Sequence, residues 1–410
     1  MTTHDDGLFA AMAGRGVSRR DFLKFSSAMA LALALPATFA PRIAAAVTAA
    51  PRLPLVWLRG LGCGGDGEAF LRSAKPTTAE LLLDLLSVDY AAALMAPSGT
   101  AAVRSLADAI ARGGYIAVVE GAVPTGDGGV ACAVGGRAFG DVAREVCARA
   151  LATIAVGSCA FDGGVAAASG GSTRATGVAG LVPAGRLVSL PGCPVNSENL
   201  AATVVHYLTF KQMPITDGRN RPLFAYGGLV HNQCERRAHF EFGEFVVSWG
   251  DEAAQKGWCL YKMGCKGPET YASCPTTQYA QGTSWPVRAG HGCISCTMPG
   301  FWDAASPFYS RLPSPLPFAP TVSADQVGQL LVGGVAGATT VHGVASYVRV
   351  RRTGAAERRA AARRGQESGS LRPEPARLAD GLPAVSRAAS AGEPPAPVTE
   401  AANEASGEPG

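Results

Sequence analysis

Short apolar segments alternate with helix-like segments from Leu53 to about Leu208, and no other feature constrains the fold as strongly. Short apolar runs are typical of buried parallel strands, and the longer segments between them have helical periodicity. The predicted strands are Leu55–Leu58, Tyr115–Val119, Thr153–Val156 and Leu187–Leu190, and the predicted helices are Leu81–Leu86, Ala101–Ala111 and Gly140–Leu151. Strands that alternate with helices form βαβ units, so the sequence predicts an α/β fold with a doubly wound parallel sheet.

Three cysteines follow predicted strands: Cys63, Cys159 and Cys193 each lie in a glycine-containing segment after a strand. Because ligands bind outside the carboxyl ends of the strands in open α/β sheets, we expect the three thiols to converge on one site. Glycine lets the backbone approach a metal cluster closely and point N–H groups at it. Phosphate-binding loops are also glycine-rich, but no G-x-x-x-x-G-K-[ST] motif occurs, so nucleotide binding is the weaker alternative.

The segment from about Tyr226 to Trp302 is rich in glycine, cysteine, proline and aromatic residues and has little periodicity. Such a segment needs something other than a layered core to hold it. Its candidate metal ligands are His231, Cys234, Cys259, Cys265, Cys274, Cys293 and Cys296. His231 and Cys234 are spaced to bind one metal centre, and so are Cys293 and Cys296.

Zinc and disulfide bonds are the alternatives for this segment. The first four of these ligands would suit tetrahedral zinc, but the remaining three thiols are too few for a closed structural zinc site and suit a 3Fe-4S cluster. Disulfides fit an exported domain, although eleven cysteines leave at least one thiol unpaired. Cys132 and Cys147 lie in neither setting, and we expect them to be small core residues.

The N-terminus predicts an export signal. Arg19 and Arg20 precede the apolar run Phe25–Ala40 and the small residues Ala44–Ala46, an order typical of a twin-arginine signal peptide over residues 1–46. An amphipathic helix with a chance arginine pair is the alternative. The twin-arginine route carries folded proteins, so cysteines can receive cofactors before export, whereas general secretion would favour disulfides.

The segment from Val327 to Val348 holds no Asp, Glu, Lys or Arg in 22 positions, which is long enough for a helix to cross a hydrocarbon layer of about 30 Å. The arginines that follow it are Arg349, Arg351 and Arg352. By the positive-inside rule, residues 325–350 predict a transmembrane anchor with a cytoplasmic C-terminus, and residues 47–320 face the extracytoplasmic side. A buried helix of a soluble protein is the alternative.

His342 lies inside this apolar segment, where an ionisable side chain is costly and is by default a functional candidate. A hydrogen bond to a neighbouring helix is the favoured interpretation, and a position beside a haem or a quinone is the alternative. After Arg352 the chain is rich in Ala, Arg, Glu, Pro and Ser and lacks apolar periodicity, so residues 353–410 predict a disordered tail.

Composition excludes two classes of protein. Hydrophobic residues make up 47% of the 410 positions and charged residues 17%, so the chain as a whole is not disordered. The net charge is only +4 and arginines concentrate at the two ends, so the chain lacks the basic stripe of a nucleic-acid-binding protein.

The ordered ligand positions resemble those of one family. They are Cys63, Cys159, Cys193, the H-x2-C pair His231 and Cys234, the C-x5-C pair Cys259 and Cys265, Cys274, and the segment His291–Trp302 with Cys293 and Cys296. In this order and spacing they closely resemble the small subunit of a membrane-bound uptake nickel–iron hydrogenase, over residues 53–305 together with the signal and the anchor. The resemblance implies a flavodoxin-like domain at 47–220 and an irregular iron–sulfur domain at 221–320.

The resemblance also implies three iron–sulfur clusters. The proximal set, which would hold a 4Fe-4S cluster, consists of Cys63, Asp66, Cys159 and Cys193. The medial set, which would hold a 3Fe-4S cluster, consists of Cys274, Cys293 and Cys296. The distal set, which would hold a second 4Fe-4S cluster, consists of His231, Cys234, Cys259 and Cys265. In the family these clusters carry electrons from the nickel–iron centre of a separate large subunit to a membrane cytochrome b or to quinone. A large-subunit partner is therefore expected, and a dimer of such heterodimers with it.

The sequence departs from the family within the proximal set. Asp66 occupies the position of the usual fourth cysteine, and glycine occupies positions 65 and 164, where oxygen-tolerant relatives have two further cysteines. The segment Cys63–Asp66 resembles the C-x-x-D arrangement of actinobacterial-type relatives. We expect Asp66 to bind iron through a carboxylate oxygen, a harder donor than thiolate. The alternative is that Asp66 only caps the following helix.

Two other functions are compatible with the same residues. An exported, membrane-anchored zinc or disulfide protein would have a structural or binding role. A different oxidoreductase would use the same chain of clusters without hydrogen chemistry.

Overall fold

The computed structural model of the chain describes residues 19–49, 52–73, 77–78, 81, 85–280, 282–310 and 324–368. The chain divides into two compact units, Met1–Gly328 and Gln329–Gly410. The first unit contains a parallel sheet, its flanking helices and the cysteine-rich segment. The second unit contains most of a long C-terminal helix.

Five parallel strands form the main sheet: β1 (Leu53–Arg59), β2 (Leu86–Ala91), β3 (Ile116–Glu120), β6 (Ala152–Val156) and β7 (Leu187–Leu190). Two short strands, β4 (Ala133–Val134) and β5 (Arg137–Ala138), form an antiparallel hairpin. The sheet order is β2-β1-β3-β6-β7. Counted over the main strands this is the order 2-1-3-4-5 of doubly wound, flavodoxin-like sheets, which confirms the predicted fold class.

Helices of six or more residues among the described positions are α1 (Arg19–Ala32), α2 (Ala40–Ala49), α3 (Gly65–Leu71), α4 (Gly99–Arg112), α5 (Phe139–Arg149), α6 (Gly157–Asp162), α7 (Ser197–Phe210) and α8 (Ala324–Ser368). Helices α4 and α5 confirm two predictions. The third predicted helix, Leu81–Leu86, falls partly outside the described residues, and Leu86 instead begins β2. Strand β2 was not predicted, because it lies at the sheet edge and is only half-buried, so its sequence has no continuous apolar run.

The side chains of the sheet alternate between two cores. Leu55 and Trp57 of β1 pack on one face, whose core includes residues of α7. Val56 and Leu58 pack on the other face, whose core includes residues of α4 and α5. Because helices cover both faces, the central strands β3 and β6 are buried along their whole length.

The leader helices α1 and α2 belong to the first of these cores, whereas the sequence predicts an export signal outside the fold. Met29, Leu33 and Ile43 are buried in the same hydrophobic cluster as Val205 of α7. Phe39 lies 6.1 Å from the ring of Phe210 at the end of α7. One face of the apolar run that characterises an export signal therefore packs into the same core as α7, while Leu31 is 80% exposed.

The segment from residue 221 to 310 has no long helix and no strand of the main sheet in its described part, as its sequence indicates. It consists of one-turn helices joined by loops. Arg221 ties it to the sheet domain, since its Nη2 bonds to Oδ2 of Asp217 at 2.8 Å while its Nη1 donates to the carbonyl oxygen of Thr297 at 2.9 Å.

Helix α8 runs from Ala324 to Ser368, past residue 350, where the predicted anchor ends, and into the predicted tail. Among the described helices it is the one long and apolar enough to cross a membrane, over Gly328–Arg364. The helix continues because residues 353–368 contain mainly Ala, Arg and Glu, which favour helix, and no proline. Residues 369–410 of the predicted tail lie outside the described residues.

Candidate functional site

The thiols of the proximal set lie at one edge of the sheet, as their positions after strands predict. Cys63 follows β1, Cys159 lies in α6 directly after β6, and Cys193 follows β7. The pKa of Cys159 is raised to about 11, mainly by burial and also by the negative charges of Asp66, Cys193 and Cys63. The other three side chains of the set therefore lie near enough to Cys159 to affect its charge.

Asp66 is the second residue of α3 and is buried, with 8% of its surface exposed. Its Oδ1 accepts a hydrogen bond from the backbone N–H of Val195 at 2.7 Å. The pKa of Asp66 is raised to about 7 in total. Burial is the largest cause, the hydrogen bond from the Val195 N–H opposes it, and the charge of Glu120 adds to it. Helix α3 has Gly64 as its N-cap without a side-chain cap, so the carboxylate does not cap its helix, contrary to the alternative interpretation.

Glycines let the backbone close around the proximal set. A Cβ at Gly157, where φ is +79°, would lie 2.0 Å from Oδ2 of Asp66. A Cβ at Gly164 would lie 2.8 Å from the Cys159 sulfur. The N–H of Gly65 donates to the Cys63 sulfur at 3.3 Å. The backbone therefore approaches these ligands closely, as the sequence analysis predicts for glycines at these positions.

Glu120 is a buried acid beside the proximal set that the sequence prediction missed. It ends β3 and has only 3% of its surface exposed. Its carboxylate accepts hydrogen bonds from Nε1 of Trp57 and from the N–H of Gly67, both at 3.1 Å. The sequence signal that could have identified Glu120 was the position of a charged residue at the end of an otherwise apolar strand.

The medial set lines one cavity, together with Cys193 of the proximal set. Burial raises the pKa of Cys274 to about 12 and that of Cys296 to about 12, and it raises the pKa of Cys293 as well. Each of these thiols also shifts the pKa of another member of the set through its charge. The three predicted ligands are therefore brought together around one cavity.

The distal set lines a second cavity, whose walls include Arg236 and Tyr261. The pKa of Cys259 is raised to about 11, mainly by burial and also by the charges of Cys265 and Cys234. The pKa of His231 is lowered, first by burial and then by the charge of Arg237, against an opposing effect of Glu241. A lowered pKa favours neutral imidazole, the form that binds metal.

Two contacts connect the three sets in the order proximal, medial, distal. Cys193 of the proximal set lines the cavity of the medial set, and the N–H of Cys293 in the medial set donates to the sulfur of Cys265 in the distal set at 3.2 Å. All eleven cysteines have free thiols. Within the described residues, no group of three His, Cys, Asp or Glu side chains is spaced to hold a single metal ion. Cys147 is fully buried in α5, as predicted for a core residue.

Three family models match the chain. Residues 226–309 match the model for the C-terminal part of the NiFe/NiFeSe hydrogenase small subunit, residues 63–207 match the NADH ubiquinone oxidoreductase 20 Kd subunit family, and residues 16–36 match the twin-arginine translocation pathway signal sequence. A sheet edge with thiols, joined to a cysteine-rich segment of this kind, defines an electron-transfer subunit of an oxidoreductase. The signal match indicates twin-arginine export, and α8 is a candidate membrane anchor.

Individual proteins are similar over most of the chain. The hydrogenase-1 small chain of Citrobacter freundii is 44% identical over 349 residues, covering 85% of this chain and 93% of that protein. The uptake hydrogenase small subunit of Alcaligenes hydrogenophilus is 42% identical, with 83% and 94% covered. The structure of the [NiFeSe]-hydrogenase of Desulfomicrobium baculatum matches with a TM-score of 0.59 and 30% identity, covering 64% of this chain and all of that chain.

The chain belongs to the family of NiFe uptake hydrogenase small subunits. Members of this family bind iron–sulfur clusters and pair with a large subunit that contains the catalytic nickel–iron site. This chain is therefore the electron-transfer component of a hydrogenase.

Proposed function

We propose that this chain carries single electrons between the large subunit and a membrane acceptor through three centres. The proximal and distal sets would each hold a 4Fe-4S cluster, and the medial set would hold a 3Fe-4S cluster. Such clusters supply one-electron redox chemistry when bound. The observation that carries the proposal is the connection of the three sets: Cys193 lines the cavity of the medial set, and the N–H of Cys293 donates to the Cys265 sulfur.

The chemistry of the side chains fits this assignment. The proximal and distal sets combine thiols with backbone N–H donors to sulfur: Gly65 bonds to Cys63, and Arg236 bonds to Cys234 at 3.4 Å. Hydrogen bonds to cluster sulfurs and exclusion of solvent are the means by which proteins adjust cluster potentials. Among the described residues, no three of these side chains are placed to hold a single metal ion, so the geometry does not support the zinc alternative.

Asp66 would be the fourth proximal ligand. Its carboxylate is buried beside three thiols and Glu120, so its own charge is poorly stabilised in the cluster-free chain, as the raised pKa indicates. Bound iron would supply the missing positive charge, and binding would release the proton. The Val195 N–H holds Oδ1, which leaves Oδ2 as the oxygen for iron.

The proposed acceptor is a membrane cytochrome b or quinone, reached from the distal set. Helix α8 would anchor the subunit with the C-terminus in the cytoplasm and the clusters on the extracytoplasmic face, because arginines follow its apolar part. We further propose that two heterodimers associate. His342 would bond to a neighbouring helix within the membrane.

Copurification of the heterodimer tests the assignment. We expect about eleven iron atoms per small subunit, from two four-iron clusters and one three-iron cluster, and hydrogen-dependent reduction of a dye. Colourless protein, or protein with zinc in place of iron, would contradict the ligand sets. Iron without hydrogen-dependent dye reduction would favour a different oxidoreductase.

The role of Asp66 is tested separately by spectroscopy of Asp66→Cys and Asp66→Ala. We expect both substitutions to change the proximal-cluster signals and to leave the medial and distal signals unchanged. Glu68→Ala is the matched control, because Glu68 is an exposed acid on the same helix. Proximal signals that stay the same in both Asp66 variants would exclude ligation by the carboxylate.

A further inference from the structure

A lysine is buried next to the distal set. Lys266 follows Cys265 directly, and only 1% of its surface is exposed. Its Nζ donates to the carbonyl oxygens of Gly264 at 2.6 Å, Pro307 at 3.3 Å and Ser310 at 2.5 Å. These acceptors match the three N–H donors of an ammonium group. Because lysine is rarely buried unless its charge is satisfied, the surrounding carbonyls favour retention of the positive charge.

Backbone contacts fix this lysine at the junction of the distal and medial sets. The N–H of Lys266 donates to the carbonyl oxygen of Cys293 at 2.7 Å, and the N–H of Cys293 donates to the Cys265 sulfur at 3.2 Å. The carbonyl oxygen of Lys266 accepts from Oγ1 of Thr270 at 2.6 Å. Lys266 therefore cannot move without disturbing ligands of both sets.

Glu269 brings the opposite charge to the same ligand. It ends a one-turn helix, Gly267–Glu269, that follows Lys266, and its side chain is exposed to solvent. Burial is the largest effect on the pKa of Cys265 and raises it; the charge of Glu269 also raises it, while the charge of Lys266 lowers it. A thiolate at Cys265 is thus stabilised by one neighbour and destabilised by the other.

We propose that Lys266 and Glu269 form an opposed charge pair that sets the reduction potential of the centre held by the distal set. This inference rests on the proposed function of that set. Reduction adds one electron, and hence one negative charge, without making or breaking a bond to either side chain. A nearby positive charge stabilises the reduced form and raises the potential, and a nearby negative charge lowers it. Both residues act through electrostatics on the ligands and are not ligands themselves.

The test is a redox titration of the purified heterodimer, followed by electron paramagnetic resonance. At a fixed potential we expect Lys266→Met to lower the ratio of reduced to oxidised distal centre about tenfold, which corresponds to about 59 mV for one electron. A unit charge within about 12 Å at an effective dielectric constant near 20 is sufficient for this effect. Glu269→Gln should raise the ratio by less, because water screens an exposed charge.

Other readouts separate an electrostatic role from a structural one. The proximal midpoint should stay the same in both variants, and Arg137→Met, which removes an exposed charge from β5, should change no midpoint. If Lys266 and Glu269 had only a structural role, the two substitutions would reduce the iron content and would not move the distal midpoint potential in opposite directions. Shifts of equal sign in the two variants, or an unchanged distal midpoint in Lys266→Met with full iron content, would overturn the proposal.

Two further outcomes are decisive. If Lys266→Met does not assemble, Glu269→Gln decides, because its side chain is exposed and the substitution keeps its size: a raised distal midpoint supports the proposal and an unchanged one refutes it. If the unaltered heterodimer shows no signal from a distal centre, the proposed function of the distal set fails, and the inference about Lys266 fails with it. Intact signals with unmoved midpoints would refute only the inference.

Discussion

Asp217→Ala should weaken the attachment of the cysteine-rich segment to the sheet domain, because it leaves a buried arginine without its carboxylate. Only 3% of the Arg221 side chain is exposed, and its Nε and Nη2 donate to Oδ2 of Asp217 at 2.9 and 2.8 Å. Its Nη1 holds the carbonyl oxygen of Thr297, which follows Cys296 of the medial set. The substitution should therefore disturb the medial site and also lower the overall stability of the protein.

The size of the effect follows from burial of the pair. Removing one partner of a buried ion pair costs about 3–5 kcal/mol. The side chain of Asp217 is 21% exposed, so we expect the lower end, about 3 kcal/mol. For a protein of 150–250 residues about 1 kcal/mol moves the Tm by about 2–4 °C, and the shift is smaller in a larger protein, so we expect a decrease of at most about 6–12 °C. The measurement is thermal unfolding of the purified heterodimer, followed by circular dichroism and by visible absorbance.

Glu145→Ala is the matched control. It breaks the Arg137–Glu145 pair, which has a similar distance of 2.9 Å but side chains that are 57% and 44% exposed. Exposed pairs contribute about 0.2–1 kcal/mol, so the Tm should fall by less than about 4 °C. Equal decreases for the two variants would refute the reasoning, because burial would then make no difference.

The same pair predicts a dependence on pH. Burial raises the pKa of Asp217, but the N–H groups of Arg221 and Arg219 and the guanidinium of Arg221 lower it more, so the net pKa lies below its ordinary value of 3.8. A lowered folded-state pKa gives stability that is complete above the unfolded pKa and is lost as pH falls through the folded one. The stability difference between the unaltered protein and Asp217→Ala should therefore be constant near neutral pH and narrow below about pH 4.

Three other substitutions test parts of the fold and site. Gly157→Ala should disturb the proximal-cluster spectrum by pushing the carboxylate of Asp66 aside, whereas Gly180→Ala, with open space around it, should not; equal spectra for the two variants would contradict the close approach. Cys147→Ala should leave the iron content unchanged, since this thiol lies in the core of α5, and lost iron on metal analysis would show that it is a ligand. Truncation before residue 324 should release an active heterodimer from membranes with full iron content, and a truncated protein that still sediments with membranes would argue against the anchor.

The sequence predicts the proximal thiols well because topology determines their position. Cysteines that follow parallel strands must lie at the carboxyl edge of the sheet, whatever the details of the loops. The edge strand β2 escapes prediction because Asp89 and neighbouring half-buried residues interrupt its apolar pattern. Glu120 escapes for the opposite reason: an acid at the end of an apolar strand is ordinarily exposed, and only the structure shows that Trp57 and Gly67 bury it.

The medial and distal sets could not be separated by spacing alone. Cys265 and Cys293 belong to different sets although the N–H of one bonds to the sulfur of the other, and a segment without periodicity gives no register from which to infer this. The resemblance to the hydrogenase family supplied the division, and the two cavities are consistent with it. The position of the leader on α7 was also hidden, because an apolar run predicts burial without specifying its partner.

The raised thiol pKa values bear on the order of cluster binding and export. Burial raises the pKa of Cys274 and of Cys296 to about 12, so a folded chain without iron would keep both protons at neutral pH, although only thiolates bind iron. Once this segment has folded, cluster binding must also expel these protons, so cluster insertion and folding of the segment are best coupled in one event. A chain exported unfolded would reach an oxidising compartment with these thiols free to form disulfides. Coupling of cluster insertion to folding therefore gives a physical reason for the twin-arginine signal, since that route carries the protein across the membrane after its ligands have been occupied.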